Sequence, residues 1–136
     1  MMQVKEIPFV KLLDIQQDDK TLFLECKENL FNHVQTIHAS AQFTLAETQS
    51  GVLLQELFPH LEGKVIPLLR DATIKYKKPA QKKIYALASV SDENLQKFQD
   101  IFEKKGRGSV QVDVVVKDIE EVVTAVASFI WFVTML

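Results

Sequence analysis

The apolar rhythm of the chain changes period several times, and each change predicts an element. "VKEIPFVKLLDI" (4–15) reads as a strand, and in "TLFLECKE" (21–28) Leu22, Leu24 and Cys26 alternate with Thr21, Phe23 and Glu25, which predicts a second. From His38 to about Leu57 the apolar positions Ala39, Phe43, Ala46, Leu53 and Leu57 follow helical spacing. Ala41, Leu45, Val52 and Leu54 widen that stripe nearly all round, the mark of an enclosed helix, and Pro59 closes it. "LLRDATIKYKKPA" then alternates Ala72, Ile74 and Tyr76 with Asp71, Thr73, Lys75 and Lys77, a strand with one wet face. "KKIYALASV" sets Ile84, Ala86, Ala88 and Val90 on one side. In "SDENLQKFQDIFEKKG" the helical period returns through Leu95, Phe98, Ile101 and Phe102; Ser91 or Asp92 suits its start, and Lys104, Lys105 and Gly106 its end. Period two resumes at Val110, Val112, Val114 and Val116, and "KDIEEV" turns the chain into a final strand carrying the small residues Ala125 and Ala127.

The expected order is two strands, a long buried helix, two strands, a surface helix and two strands. One sheet must then wrap a helix with almost no polar face, which predicts a single α+β domain over residues 1–136.

Composition sharpens this only in places. With 47% hydrophobic and 25% charged residues the chain is globular, and a net charge of −2 points to neither nucleic acid nor an acidic membrane surface. The single Cys26 excludes an internal disulfide and fits a reducing cytoplasm; its alternation with Leu22 and Leu24 predicts an inert buried thiol. Three histidines and one cysteine give little from which to build a zinc site, so no metal is expected. The opening "MMQVKEIPFV" has no signal-peptide pattern, and the uncharged run Val122–Leu136 is short for a membrane helix and rich in strand formers.

One letter is out of place in this pattern. Between Ala39 and Gln55 the only charged side chain is Glu47. An unpartnered buried carboxylate is costly, so Glu47 either turns to solvent, joins an ion pair or serves as a catalytic group at a cleft. Asn32, His33 and His38 sit just ahead of the helix with acid, base and hydrogen-bonding capacity. The free N–H groups near Ala39 and Ser40, at the positive end of the helix dipole, are suited to polarising a carbonyl oxygen. That end lies eight residues, about 12 Å, from Glu47, so a partner subunit supplying one of the two groups would satisfy the geometry.

The stretch "NHVQTIHASAQFTLAETQSG" closely resembles the central-helix motif of hotdog-fold acyl-CoA thioesterases of the phenylacetyl-CoA (PaaI-like) group. In that motif a loop Asn precedes a His-Gly-Gly-like turn and then an acidic residue on the long helix. Asn32, His38 and Glu47 keep the spacing, at 38 − 32 = 6 and 47 − 32 = 15. "IKYKKPA", the closing "VASFIWFV" and the helix in "SDENLQKFQDIFEKK" further resemble an uncharacterised subfamily with an extra helix before its fifth strand. The resemblance implies a hotdog fold, an antiparallel sheet wrapped around the central helix. It implies that Glu47 is the general base or nucleophile, that the Ala39 N–H belongs to the oxyanion hole, and that His38 and Asn32 position the thioester or water. It also implies a homodimer whose sites draw on both subunits, with a tetramer as the larger alternative. No cofactor is implied beyond coenzyme A as part of the substrate.

Around this centre His33, Ser40 and Phe43 are candidate substrate contacts. Lys77 and Lys78, with Lys82 and Lys83, bracket a turn, and Lys105 and Arg107 cluster with Lys104; either patch suits the phosphates of coenzyme A. His60 is expected on the surface, and Phe129 and Trp131 in the core. Two positions depart from the family pattern: Ala39-Ser40 replaces the Gly pair, and Leu69 stands where relatives carry Ser or Thr. Both departures favour a non-catalytic acyl-binding protein as the alternative. A hotdog hydratase or dehydratase is a third reading, since 47 − 33 = 14 places His33 at a similar distance before Glu47, but the His-Phe-Pro turn is absent.

Overall fold

In the computed structural model, which describes residues 3–136, the chain opens with a 3-10 turn, Val4–Glu6, and a short helix, α1 (Pro8–Leu12). The strand expected over this segment does not form. Pro8 has no N–H to give a sheet and a φ already suited to the first turn of a helix, and the buried Val4 and Val10 with the half-buried Ile7 recur every third residue. Asp14 leaves the helix with positive φ and is held by Lys27 and Gln16. The first strand is instead β1 (Gln16–Asp18), joined to β2 (Thr21–Leu24) by a tight turn with Asp19 at positive φ.

The remaining elements follow the apolar rhythm. They are α2 (Ala39–Leu57), a 3-10 turn at Pro59–Leu61, β3 (Val65–Tyr76), β4 (Ile84–Ser89), α3 (Asp92–Lys105), β5 (Arg107–Asp118) and β6 (Val123–Met135). All strands pair antiparallel in one sheet of order β1-β2-β4-β5-β6-β3. The apolar C-terminal run is thus the strand β6, and no helix is long and apolar enough to cross a membrane.

The sheet curls around α2. Leu22, Leu24, Ile84, Val112, Val114 and Phe129 point inward to the same core as Leu45 and Ala46 of the helix, each essentially without exposure. Removing such aliphatic and aromatic side chains from water contributes about 1.5–3 kcal/mol each, which is what holds sheet to helix. Three of the hydroxyls on α2 are satisfied within the helix, whereas the buried Gln42 Oε1 has no partner among the described residues. Thr44 and Thr48 donate to the carbonyls four residues back, at 2.9 and 2.6 Å, and Ser50 donates to the Glu47 carbonyl at 2.6 Å.

Gln49 reaches across instead. Its Oε1 accepts the Leu22 N–H at 2.7 Å and its Nε2 donates to the Lys20 carbonyl at 2.9 Å, tying the β1–β2 hairpin to α2. Gln49→Ala is expected to destabilise the fold by about 1–3 kcal/mol, because the buried Leu22 N–H and the part-buried Lys20 carbonyl lose their partner; urea unfolding monitored by circular dichroism measures it.

The surface helix α3 starts and stops as its sequence suggests. Ser91 Oγ accepts the Asn94 N–H at 3.1 Å, and Gly106, at φ 70°, ends it in the left-handed conformation that glycine adopts without strain. Of its apolar stripe only Phe98 is buried, against Phe58 at 5.0 Å between rings; Ile101 remains exposed.

Candidate active site

Glu47 lies in the middle of α2, on the one face of that helix that the sheet does not cover completely. Its carboxyl is half-buried, and burial alone raises its pKa above the ordinary 4.5; no hydrogen bond or neighbouring charge contributes. Of the three roles open to this residue, the structural ion pair is therefore excluded among the described residues. The carboxylate instead lines an apolar cavity of about 500 Å³. Its other walls come from the amino-terminal segment (Val4, Ile7, Val10), the start of β3 (Val65) and the end of β6 (Trp131, Val133).

Trp131, expected in the core from the burial tendency of its type, packs half-buried against the core and also lines the cavity, and its Nε1–H donates to Ser50 Oγ at 2.8 Å. A strand pattern tells which side a residue faces; whether the helix covers that side at that point is a tertiary matter.

The groups ahead of α2 are gathered at its amino end. His38 is the N-cap, its Nδ1 accepting the Ser40 N–H at 3.0 Å, so one free donor is already taken. The Ala39 N–H has no partner among the described residues. Asn32 Oδ1 accepts from the N–H groups of Val34 and Thr36, both at 3.0 Å, and its Nδ2 donates to Thr36 Oγ1 at 2.8 Å. Most of that amide thus braces its own loop, whose Gln35 sits at φ 59°. His33 and Ser40 are exposed, and Phe43 packs edge-on to Phe129 at 5.5 Å, outside the cavity wall.

Tyr76 joins this end of the molecule. Its hydroxyl donates to the Ala39 carbonyl at 3.1 Å, fixing the end of β3 to the start of the helix. Period-two reading placed Tyr76 with the apolar face of its strand, which hid this contact.

Because α2 is continuous from Ala39 to Leu57, Ala39 and Glu47 stay eight residues, about 12 Å, apart in one subunit. Neither His38 nor Asn32 reaches Glu47's cavity. The two basic patches are also separated. Lys77 and Lys78 follow Tyr76 beside the helix start, while Arg107 sits beside Thr134, which pairs with Ile66 at the other end of β3. From Ile66 to Lys77 is eleven residues, about 36 Å of strand, so one ligand cannot engage both patches of a single subunit. Lys82 and Lys83 are paired with Glu120 and Glu25, at 2.7 and 3.8 Å.

Leu69 is half-buried against the core just before a bulge in β3 at Arg70. Beyond β3 the sheet ends. Ile66 and Leu68 are 43% and 51% exposed on this twelve-residue edge strand, which pairs with β6 on one side and whose outer edge has no partner among the described residues.

Residues 10–133 match the family described as a domain of unknown function (DUF4442), and the chain belongs to that family. Among the curated proteins none matches it. Its fold superposes on a protein of unknown function from Pseudomonas aeruginosa named as a probable thioesterase, with a TM-score of 0.82 over 98% of this chain and 91% of that one, at 20% identity. A Bacillus halodurans protein crystallised with CoA gives 0.72 over 92% and 74%, also at 20% identity. A mutant of a thioesterase enzyme from Staphylococcus aureus gives 0.70 over 93% and 98%, at 15% identity. The architecture is the hotdog fold, an antiparallel sheet wrapped around a long central helix, as the central-helix motif implied.

Proposed function

We propose that this hotdog chain is an acyl-CoA thioesterase in which Glu47 is the general base. The observation that carries the reading is a half-buried carboxylate without a partner, held on an apolar cavity large enough for an acyl group. Water hydrogen-bonded to Glu47 gives up a proton to the carboxylate as its oxygen attacks the thioester carbonyl carbon. The Ala39 N–H stabilises the oxygen that gains negative charge, and breaking the C–S bond releases coenzyme A, which takes the proton back as its thiol. The thioesterase and CoA named for similarly folded proteins support the substrate class.

In this reading the site needs two copies of the chain. The open edge of β3 with exposed Ile66 and Leu68 is the surface that a second copy would cover, since an unpaired apolar edge of this length is otherwise an aggregation hazard. An antiparallel pairing of two β3 edges would set the Tyr76 end of one subunit, bonded to Ala39, beside the Val65 end of the other, which lines the Glu47 cavity. Lys77 and Lys78, exposed beside that end, are the better candidates for the coenzyme A phosphates than Lys105 and Arg107.

Leu69, packed and without a hydroxyl, favours the second reading, an acyl-CoA-binding protein without turnover. Free-thiol release from a panel of short, medium, long and aromatic acyl-CoAs decides between them. Turnover of any member supports hydrolysis; saturable binding with no thiol released supports the binder.

A further inference from the structure

The cavity beside Glu47 has a direction. Apart from Thr44, every α2 residue in its wall lies at Glu47 or beyond it toward the carboxyl end: Thr48, Gly51, Leu54 and Gln55, with Phe58 after the helix. From Glu47 to Phe58 is eleven residues, about 16 Å of helix axis. The threonine hydroxyls are turned back onto their own helix, so this wall offers a ligand mainly hydrocarbon.

Gly51 stands one turn beyond Glu47 on the same face. Glycine is a poor choice for a helix interior, and nothing in the backbone requires it there. A Cβ at Gly51 would meet only the Trp131 ring, at 3.8 and 3.9 Å, which is ordinary contact. Alanine therefore fits, but a longer side chain would fill the space above the ring. That ring cannot retreat freely, because the Ser50 hydroxyl anchors its Nε1–H. The pair thus leaves a gap where a larger residue would have closed one.

An extended chain advances about 1.2 Å per bond, given that three backbone bonds span roughly 3.3–3.6 Å. We propose that Gly51 and Trp131 determine acyl specificity: they hold open an apolar channel leading away from Glu47, sized for an unbranched acyl chain of about a dozen carbons. The inference rests on the thioesterase reading for the chemistry at Glu47, but not for the fit of the tail. The two are therefore tested apart.

Binding is measured by titration calorimetry with butyl-, octyl-, dodecyl- and hexadecyl-CoA thioethers, which cannot be hydrolysed. Affinity is expected to rise roughly two- to fourfold per methylene up to dodecyl and to stop rising at hexadecyl. Trp131, the sole tryptophan, should shift its fluorescence with the dodecyl but not the butyl compound. Gly51→Leu, which favours the helix and should melt no lower than the native protein, is expected to bind dodecyl no more tightly than butyl. Gly51→Ala should keep the native series. Affinity independent of chain length, or a Gly51→Leu protein that follows the native series, overturns the inference. The expected series without hydrolysis of any acyl-CoA leaves the channel standing and removes the thioesterase reading.

Discussion

Glu47→Gln is expected to lose at least about a hundredfold in thiol release from acyl-CoA, the usual reach of an acid–base group, and yet to melt higher than the native protein at neutral pH. The two effects have one cause. Burial raises the Glu47 pKa above the ordinary 4.5, so the folded protein binds this proton more tightly than the unfolded chain does. Stability is therefore highest below that ordinary value and falls as pH rises through the window up to the folded pKa. Above the window the half-buried charge is a constant cost, which the neutral amide of Gln removes. The gain should be on the order of a few °C at neutral pH and should vanish below the ordinary carboxyl value of 4.5. Paired melting curves at acid and neutral pH measure it. If the proposed hydrolysis holds, kcat/KM of the native protein should fall on the acid side with an inflection above 4.5, as Glu47 takes up its proton. A Glu47→Gln protein with undiminished turnover would remove the carboxylate from the chemistry.

Ala39→Pro is the second variant with a large expected effect. Ala39 is the first residue of α2, and the preceding His38 is extended at φ −59°, ψ 140°, a conformation that proline tolerates in its neighbour. Proline there deletes the free N–H without breaking the helix, and turnover should fall by about 10²–10³, the effect of losing one oxyanion donor. Circular dichroism and the melting temperature should stay close to native. The variant also tests where the partner groups come from. Mixed and refolded together in equal amounts, Glu47→Gln and Ala39→Pro subunits form some dimers in which one site has both groups intact. Random pairing restores about a quarter of native sites if each site draws on both subunits of a two-fold dimer. No recovery would mean that carboxylate and donor act within one chain, against the 12 Å that α2 sets between them.

How much of this was legible beforehand differs from element to element. Period two at Val110–Val116 and period 3.6 from His38 to Leu57 were clear, because strand and helix each impose a repeat on whichever face is buried. The amino-terminal segment was misread for a related reason. Val4, Ile7 and Val10 suit a helical turn, but the run is too short for its period to stand out, and Pro8 decided it. Within the candidate site, Glu47 announced itself as the one charge in an uncharged helix. Tyr76 and Trp131 did not, since both sit on strands where an aromatic is the ordinary choice.

The sequence by itself thus determined the order of elements from β2 onward, the one charge within α2 and its distance along the helix from the free N–H groups at the helix start. These are local quantities: a repeat, a charge, a rise per residue. Only the tertiary structure decided that Asn32 is bound up in its own loop, that the basic patches lie at opposite ends of β3, and that Gly51 and Trp131 line one cavity with Glu47. Those depend on which side chains from distant segments meet, and a cavity is the space that none of them fills.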